Sequence, residues 1–195
     1  MKSGFFACAA FVLGLVVACA AAAAAEVEIC YDYACAKSAP VEFADADVAA
    51  LRELMALATD ALEERALLGT AIARMYEHAG GKTPIWRDRG RNVPDDRDNE
   101  GSMDCIDHST NTDRFLILLA DAGALNFHFP GERRRRFAFL VFDEHWTASI
   151  VERENGAQFA VDSWFFDPGT PAVIVPLARW RSGYDPDAAE LVGSP

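Results

Sequence analysis

Apolar side chains recur at helical spacing between Asp45 and Ala79. Val48, Leu51, Met55 and Ala58 form a first stripe, and Leu62, Ala66, Ile72 and Tyr76 a second. The pattern predicts two helices or one bent helix. Asp45 and Thr59 are placed to cap N-termini, Asp60 with Glu63 resembles a capping pair, and Gly80-Gly81 offers a left-handed stop. A further helix is expected from Cys105 to Ala122, with Ile106, Phe115, Leu118, Leu119 and Ala122 as its apolar stripe. Asp104 is its N-cap, Asp107 falls at its third position and Gly123 ends it. The period then changes. Phe137 to Phe142 is a continuous apolar run suited to a buried strand, His145 to Val151 alternates, and Gln158 to Phe166 is a third candidate strand. Asp167-Pro168-Gly169 is a turn, and the apolar stretch from Ala172 to Leu177 reads as cover for the sheet before a polar tail. The expected class is α+β, with N-terminal helices and the Cys105 helix packed on an antiparallel sheet.

Two polar stretches interrupt this pattern. Gly81 to Asp104 is longer than structureless connections usually are, which marks it as a functional loop, and Trp86, Asn92 or Asn99 could line a pocket there. The Arg133 to Arg136 run suits a solvated turn or an edge strand.

At the N-terminus, Lys2 precedes an apolar run from Phe5 to Ala18 and alanines that end at Ala25. This is the order of a secretory signal peptide, with cleavage near Ala25 and residues 26–195 left as a single domain. Val16-Val17-Ala18-Cys19 also resembles a lipobox, so membrane attachment would arise only through a lipidated Cys19. Either route exports the protein to the periplasm or the medium. Cys8 and Cys19 fall in that segment, which leaves Cys30, Cys35 and Cys105. In an oxidising compartment Cys30 and Cys35 pair across a turn-sized loop, and Cys105 remains a thiol. A net charge of -12 repels phosphate backbones and anionic headgroups, which excludes nucleic acid as a partner. With 51% apolar and 25% charged residues the chain can build a core, so both an enzyme and a binding domain stay open.

Cys105 is either a buried inert thiol or a reactive one. At the first position of a helix, backbone amides and the dipole favour a thiolate, while Asp104 and Asp107 oppose it, so a reactive Cys105 needs an imidazolium nearby. His145 opens the second strand, and Asp162 is a carboxylate in an otherwise apolar strand that requires a specific partner. His78 and His128 read as structural. Asn155-Gly156 is a hairpin signal. A two-residue turn there would set Asp162 opposite Ser149, about 13 Å along the strands from His145. A four-residue loop from Arg153 to Gly156 would set Asp162 opposite Thr147 and diagonal to His145, within reach.

Asp104-Cys105-Ile106-Asp107 opening a helix, His145 opening a strand and Asp162 on the next strand resemble transglutaminase-like cysteine peptidases, with the same logic as papain-like folds. The likeness spans about Gly101 to Phe166. It implies Cys105 as nucleophile, His145 as general acid and base, and Asp162 as the group that orients the imidazole. It further implies an oxyanion site from the Cys105 amide and a loop side chain, with Asn99 the candidate, and a peptide or peptidoglycan-peptide amide as substrate. Met103 before the cysteine and His108 after the motif depart from the family's usual residues, and His108 is read as structure or substrate contact. A metal would have to draw on Cys105, His108 and His145 with Asp107 or Asp162. No ligand pair has finger-like spacing, and no metal or cofactor is expected. The competing expectation is a catalytically silent domain that binds a peptide or protein in the same cleft.

Overall fold

A computed structural model describes residues 24–92, 97–137 and 144–186. The segment carrying the signal-type run and Cys19, and most of the apolar run after Phe137, lie outside the described residues. The fold is α+β, with four α-helices and two antiparallel sheets among the described residues.

The first element among the described residues is one that the sequence reading does not assign. Strands β1 (Ala25–Tyr31) and β2 (Lys37–Phe43) form an antiparallel hairpin, with Val27 opposite Val41 and Ile29 opposite Ala39. The cause is an alternation of Val27 and Ile29 with Glu26 and Glu28, which puts the apolar pair and Val41 and Phe43 in the core. A Cys30–Cys35 disulfide closes its tip, in keeping with an oxidising, non-cytosolic compartment. Asp32, Tyr33, Ala34 and Cys35 all have φ between 54° and 64°. Such a left-handed turn of non-glycine residues costs roughly 1–2 kcal/mol each, so it needs outside support.

The expected helices follow as α1 (Asp45–Met55) and α2 (Ala61–Gly80). Their caps differ in detail. Ala44 rather than Asp45 is the N-cap of α1, with its N–H given to Asp47. Asp60 rather than Thr59 caps α2, while Thr59 donates to Glu63 with both its N–H and its hydroxyl. Gly81 is right-handed, with φ of -67°, so Gly80-Gly81 is not a left-handed stop. Gly80 serves a close approach instead, since a Cβ there would sit 3.3 Å from that of Trp86 in a 3-10 turn at Pro84–Arg87.

Helix α3 (Cys105–Asp121) has the expected capping box and stops before Gly123, whose φ is +67°. The main sheet comprises β3 (His128–Pro130), β4 (Arg134–Phe137), β5 (Glu144–Glu152), β6 (Gln158–Asp162) and β7 (Val173–Pro176). β3 and β4 both pair with β5, so they are two pieces of one edge strand, followed across the sheet by β5, β6 and β7. The segment from Ala172 thus joins the sheet as its last strand and then forms α4 (Leu177–Arg181). The third strand ends at Asp162 rather than running to Phe166. On one face, Ala148, Ile150 and Val161 pack with α2, α3 and the hairpin; Ala160, Val173, Val175 and Trp180 form a smaller cluster with Phe165.

A buried polar anchor holds this frame. Glu64 on α2 is fully buried and accepts the N–H groups of Asn126, Phe127 and His128 together with His128 Nδ1. Arg65 donates to His128 Nε2 at 3.1 Å and to Glu152 at 2.8 Å, so His128 is structural and fully buried. Burial works against the Glu64 carboxylate, but His128 and the amides of Phe127 and Asn126 outweigh it and hold the pKa below the usual 4.5. Its stabilising effect is therefore complete above pH 4.5 and disappears as pH falls through the lowered native value. Glu64→Gln is expected to cost about 3–5 kcal/mol in urea unfolding at pH 7, because it turns a donor toward buried amides and breaks the pair with His128.

Candidate functional site

The four-residue loop is the one formed. Ala148 pairs with Val161 and Val151 with Gln158, and the Glu152 N–H reaches the Ala157 carbonyl, so residues Arg153 to Gly156 make the turn. The two-residue turn at Asn155-Gly156 does not form, because Asn155 turns its side chain onto the Ala157 N–H and the Glu152 carboxylate. Continued by one step, this register puts Asp162 across from Thr147 and diagonal to His145. His145 Nε2 and Asp162 Oδ2 are 2.7 Å apart, with the two residues 5% and 1% exposed.

Asp162 is held from three sides. Its Oδ2 also accepts the Trp180 indole N–H at 2.7 Å, and its Oδ1 the Trp164 backbone N–H at 3.2 Å. A carboxylate only accepts, so the His145 Nε2 carries a proton and Nδ1 is the basic nitrogen of the neutral ring. Trp164, Phe165 and Trp180 surround the imidazole at centroid distances of 4.4, 5.7 and 5.5 Å. The sequence assigns neither tryptophan to a site. Trp180 comes from α4 after the last strand, and no spacing in the chain ties it to Asp162.

Cys105 is the first residue of α3, and its Sγ lies 3.6 Å from the Glu144 carbonyl, against the peptide unit that leads into His145. The helix start is crowded with carboxylates. Asp104 accepts the N–H groups of Ile106 and Asp107 and, from the disulfide loop, that of Ala34. Asp107 accepts those of Asp104 and Cys35. Burial, and next the charge of Asp104, push the Asp107 pKa up to about 7. A protonated Asp107 removes one of the two negative charges that oppose a Cys105 thiolate.

His108 is 1% exposed, in keeping with the structural one of its two readings. Its Nε2 meets Asp88 Oδ2 at 2.9 Å and its Nδ1 meets Ser163 Oγ at 3.1 Å. Tyr76 donates to the His108 carbonyl and lies near both Thr112 and Ser163. This buried network joins α2, α3, the long loop and the residue that follows Asp162. With both nitrogens on other partners, His108 does not converge with Cys105 and His145 as a metal ligand.

The long loop docks on the aromatic wall. Asn92 accepts the Trp164 indole N–H at 2.8 Å, Arg91 N–H donates to the Trp164 carbonyl, and Arg91 pairs with Asp185. Gly90 permits this approach, since any side chain there would run into the Phe166 backbone. Asn99 is exposed and gives its carbonyl to Ser102, and Trp86 is 64% exposed. The arginine run forms edge strand β4, but not all of it is solvated. Arg136 donates to the carbonyls of Trp180 and Tyr184 and covers the Trp180 ring, and Arg133 donates to Ser109 and Thr110 on α3. His78 bonds the Glu42 carbonyl and stacks on Phe43 as a structural residue.

Among the described residues, the group of potential ligands brought together is Cys30, Cys35 and Asp107, and its two sulfurs are joined to each other. Comparison with protein-family models, with curated proteins and with solved structures finds no match. The likeness to transglutaminase-like peptidases accordingly rests on the residues quoted for it.

The raised Asp107 pKa has a definite sign. Between about pH 4 and 7 the native state binds a proton that the unfolded chain does not, so this group lowers stability as pH rises through that window. Asp107→Asn is expected to remove that part of the slope in urea midpoints taken at pH 4.5, 5.5, 6.5 and 7.5. An unchanged slope counts against the assignment.

Proposed function

We propose that the protein is an exported thiol hydrolase or acyltransferase acting on peptide amide bonds, with cell-wall peptide as the substrate class that suits its compartment. The observation that carries this reading is the buried His145–Asp162 hydrogen bond, with the Cys105 sulfur 3.6 Å from the carbonyl of Glu144, the residue before His145. In this reading His145 Nδ1 takes the Cys105 proton, the sulfur attacks the amide carbonyl carbon, and the imidazolium returns the proton to the leaving amine. Water, or a second amine for transfer, then releases the acyl group. Asp162 fixes the imidazole in the tautomer with Nε2–H and stabilises the charged ring, while Trp180 and Trp164 hold Asp162. The Cys105 amide is the first oxyanion donor, and Asn99 the side-chain candidate from the loop. Export follows a cleaved leader ending near Ala25 or a lipid on Cys19.

A second reading is favoured by one contact. The Cys105 thiol donates to the Glu144 carbonyl, an interaction that an ionised sulfur would lose, and Asp104 and Asp107 take the amides that would otherwise favour a thiolate. This suits a silent domain of the same fold that binds an extended peptide in the cleft.

Alkylation of Cys105 by iodoacetamide between pH 5 and 9 separates the two. For an enzyme the apparent pKa falls well below about 8.5, and the rate at pH 6 drops about tenfold or more in His145→Ala. A thiol of ordinary pKa that is insensitive to His145 overturns the catalytic reading and leaves the binding domain.

A further inference from the structure

The hairpin disulfide sits among groups that a merely structural cross-link does not need. Cys30 is buried and Cys35 is partly accessible, so the two sulfurs are unequal. Arg114 Nη1 lies 3.3 Å from Cys30 Sγ, within a side chain that also donates to the Glu28 carbonyl. A carboxylate oxygen of Asp107 and both sulfurs lie within 4.8 Å of one another. The backbone that joins the cysteines is left-handed at Asp32, Tyr33, Ala34 and Cys35, and opening the S–S bond frees it to return to the ordinary region.

We infer that Cys30–Cys35 is a second reactive centre, an exchangeable disulfide that accepts two electrons from a dithiol, with Arg114 and Asp107 serving the departing Cys30 sulfur. One thiolate of the dithiol attacks Cys35 Sγ. The S–S bond breaks, and Cys30 leaves with the electron pair as a thiolate stabilised by the Arg114 guanidinium. It then takes a proton from the Asp107 carboxyl group, which solvent protons restore. The second thiolate of the dithiol attacks its own sulfur in the mixed disulfide, which expels the Cys35 thiolate. The partner departs as a disulfide, and Cys30 and Cys35 hold the two electrons. An Asp107 pKa near 7 supports the proton transfer at neutral pH. The charged and titratable groups around this centre include Asp104 at the cap of α3, Arg114 from α3, Asp32 with its partner Lys37 from the hairpin, Arg97 of the long loop over the Tyr33 ring, and Tyr76 from α2.

This centre is independent of any amide chemistry at Cys105, but the two share a support. Ala34 and Cys35 give their N–H groups to Asp104 and Asp107, the capping residues of the Cys105 helix. Reduction that relaxes the loop withdraws two donors from that helix start.

The test follows reduction of the full chain by dithiothreitol from pH 5.5 to 8.5, with thiols quenched by N-ethylmaleimide. Mass spectrometry of the peptide containing Cys30 and Cys35 separates it from the other cysteines. The native protein is expected to be reduced about tenfold faster than Arg114→Met, with Arg114→Lys retaining most of the rate. Asp107→Asn is expected to lose the part of the pH profile centred near 7. With oxidised glutathione, Cys30→Ser is expected to form a mixed disulfide at Cys35. Equal rates in all variants, or reduction of the native chain only in urea strong enough to unfold it, overturn the proposal.

Discussion

A pair of carboxylates at the start of α3 is the junction on which the hairpin and the Cys105 helix both depend. Asp104 and Asp107 accept amides at the start of their own helix and those of Ala34 and Cys35 in the left-handed disulfide loop, so one polar junction fixes the hairpin on the helix that bears Cys105. A left-handed run of four non-glycine residues is unfavourable in isolation, and it persists here because its N–H groups find acceptors and its ends are covalently tied. Asn111, two turns further on, extends the junction by pairing with both the N–H and the carbonyl of Cys30. The cost is burial of an acid beside a second one, and burial first, then the Asp104 charge, raises the Asp107 pKa.

Two buried polar clusters do the equivalent work elsewhere. Glu64 gathers the backbone of Asn126, Phe127 and His128 at the start of the sheet, and the network of Asp88, His108, Ser163, Tyr76 and Thr112 ties the long loop to α2, α3 and the end of β6. Each group would be costly to bury alone, and each is offset by partners of fixed direction. Hydrophobic contact alone would allow the helices to slide on the sheet, whereas these bonds allow one arrangement. The residue that follows Ser163 lines the His145 imidazole and the residue that precedes it bonds that ring, so this arrangement also sets the site geometry.

Much of this was legible in the chain. Helical spacing located α1, α2 and α3, and the composition of Asp104-Cys105-Ile106-Asp107 marked the capping box because such caps are made by residues close in sequence. The isolated carboxylate of Asp162 among apolar neighbours signalled a partner, and the partner is His145. The alternation of Val27 and Ile29 with Glu26 and Glu28 is a strand signal that spans only a few residues, and the hairpin it belongs to is set by its pairing with Lys37–Phe43. The extents of the third strand and the exact caps were not legible, since they depend on whether a backbone amide finds a neighbour in another element.

Local chemistry by itself determined helices α1 to α3, the cap of α3, the cysteine pair and the acceptor character of Asp162, because each depends on residues a few positions apart. The turn was the boundary case. Sequence offered two registers for β5 and β6, and the assembled sheet adopts the one in which Asn155 turns back on its own loop and Asp162 stands diagonal to His145. Only tertiary structure could bring Trp180 to Asp162, Asn92 to Trp164, Arg136 to α4 and Asp88 to His108. Those bonds join segments whose separation along the chain contains no periodic signal. Their geometry is fixed by how the helices and the sheet share a core, and by the need of every buried polar group for a partner.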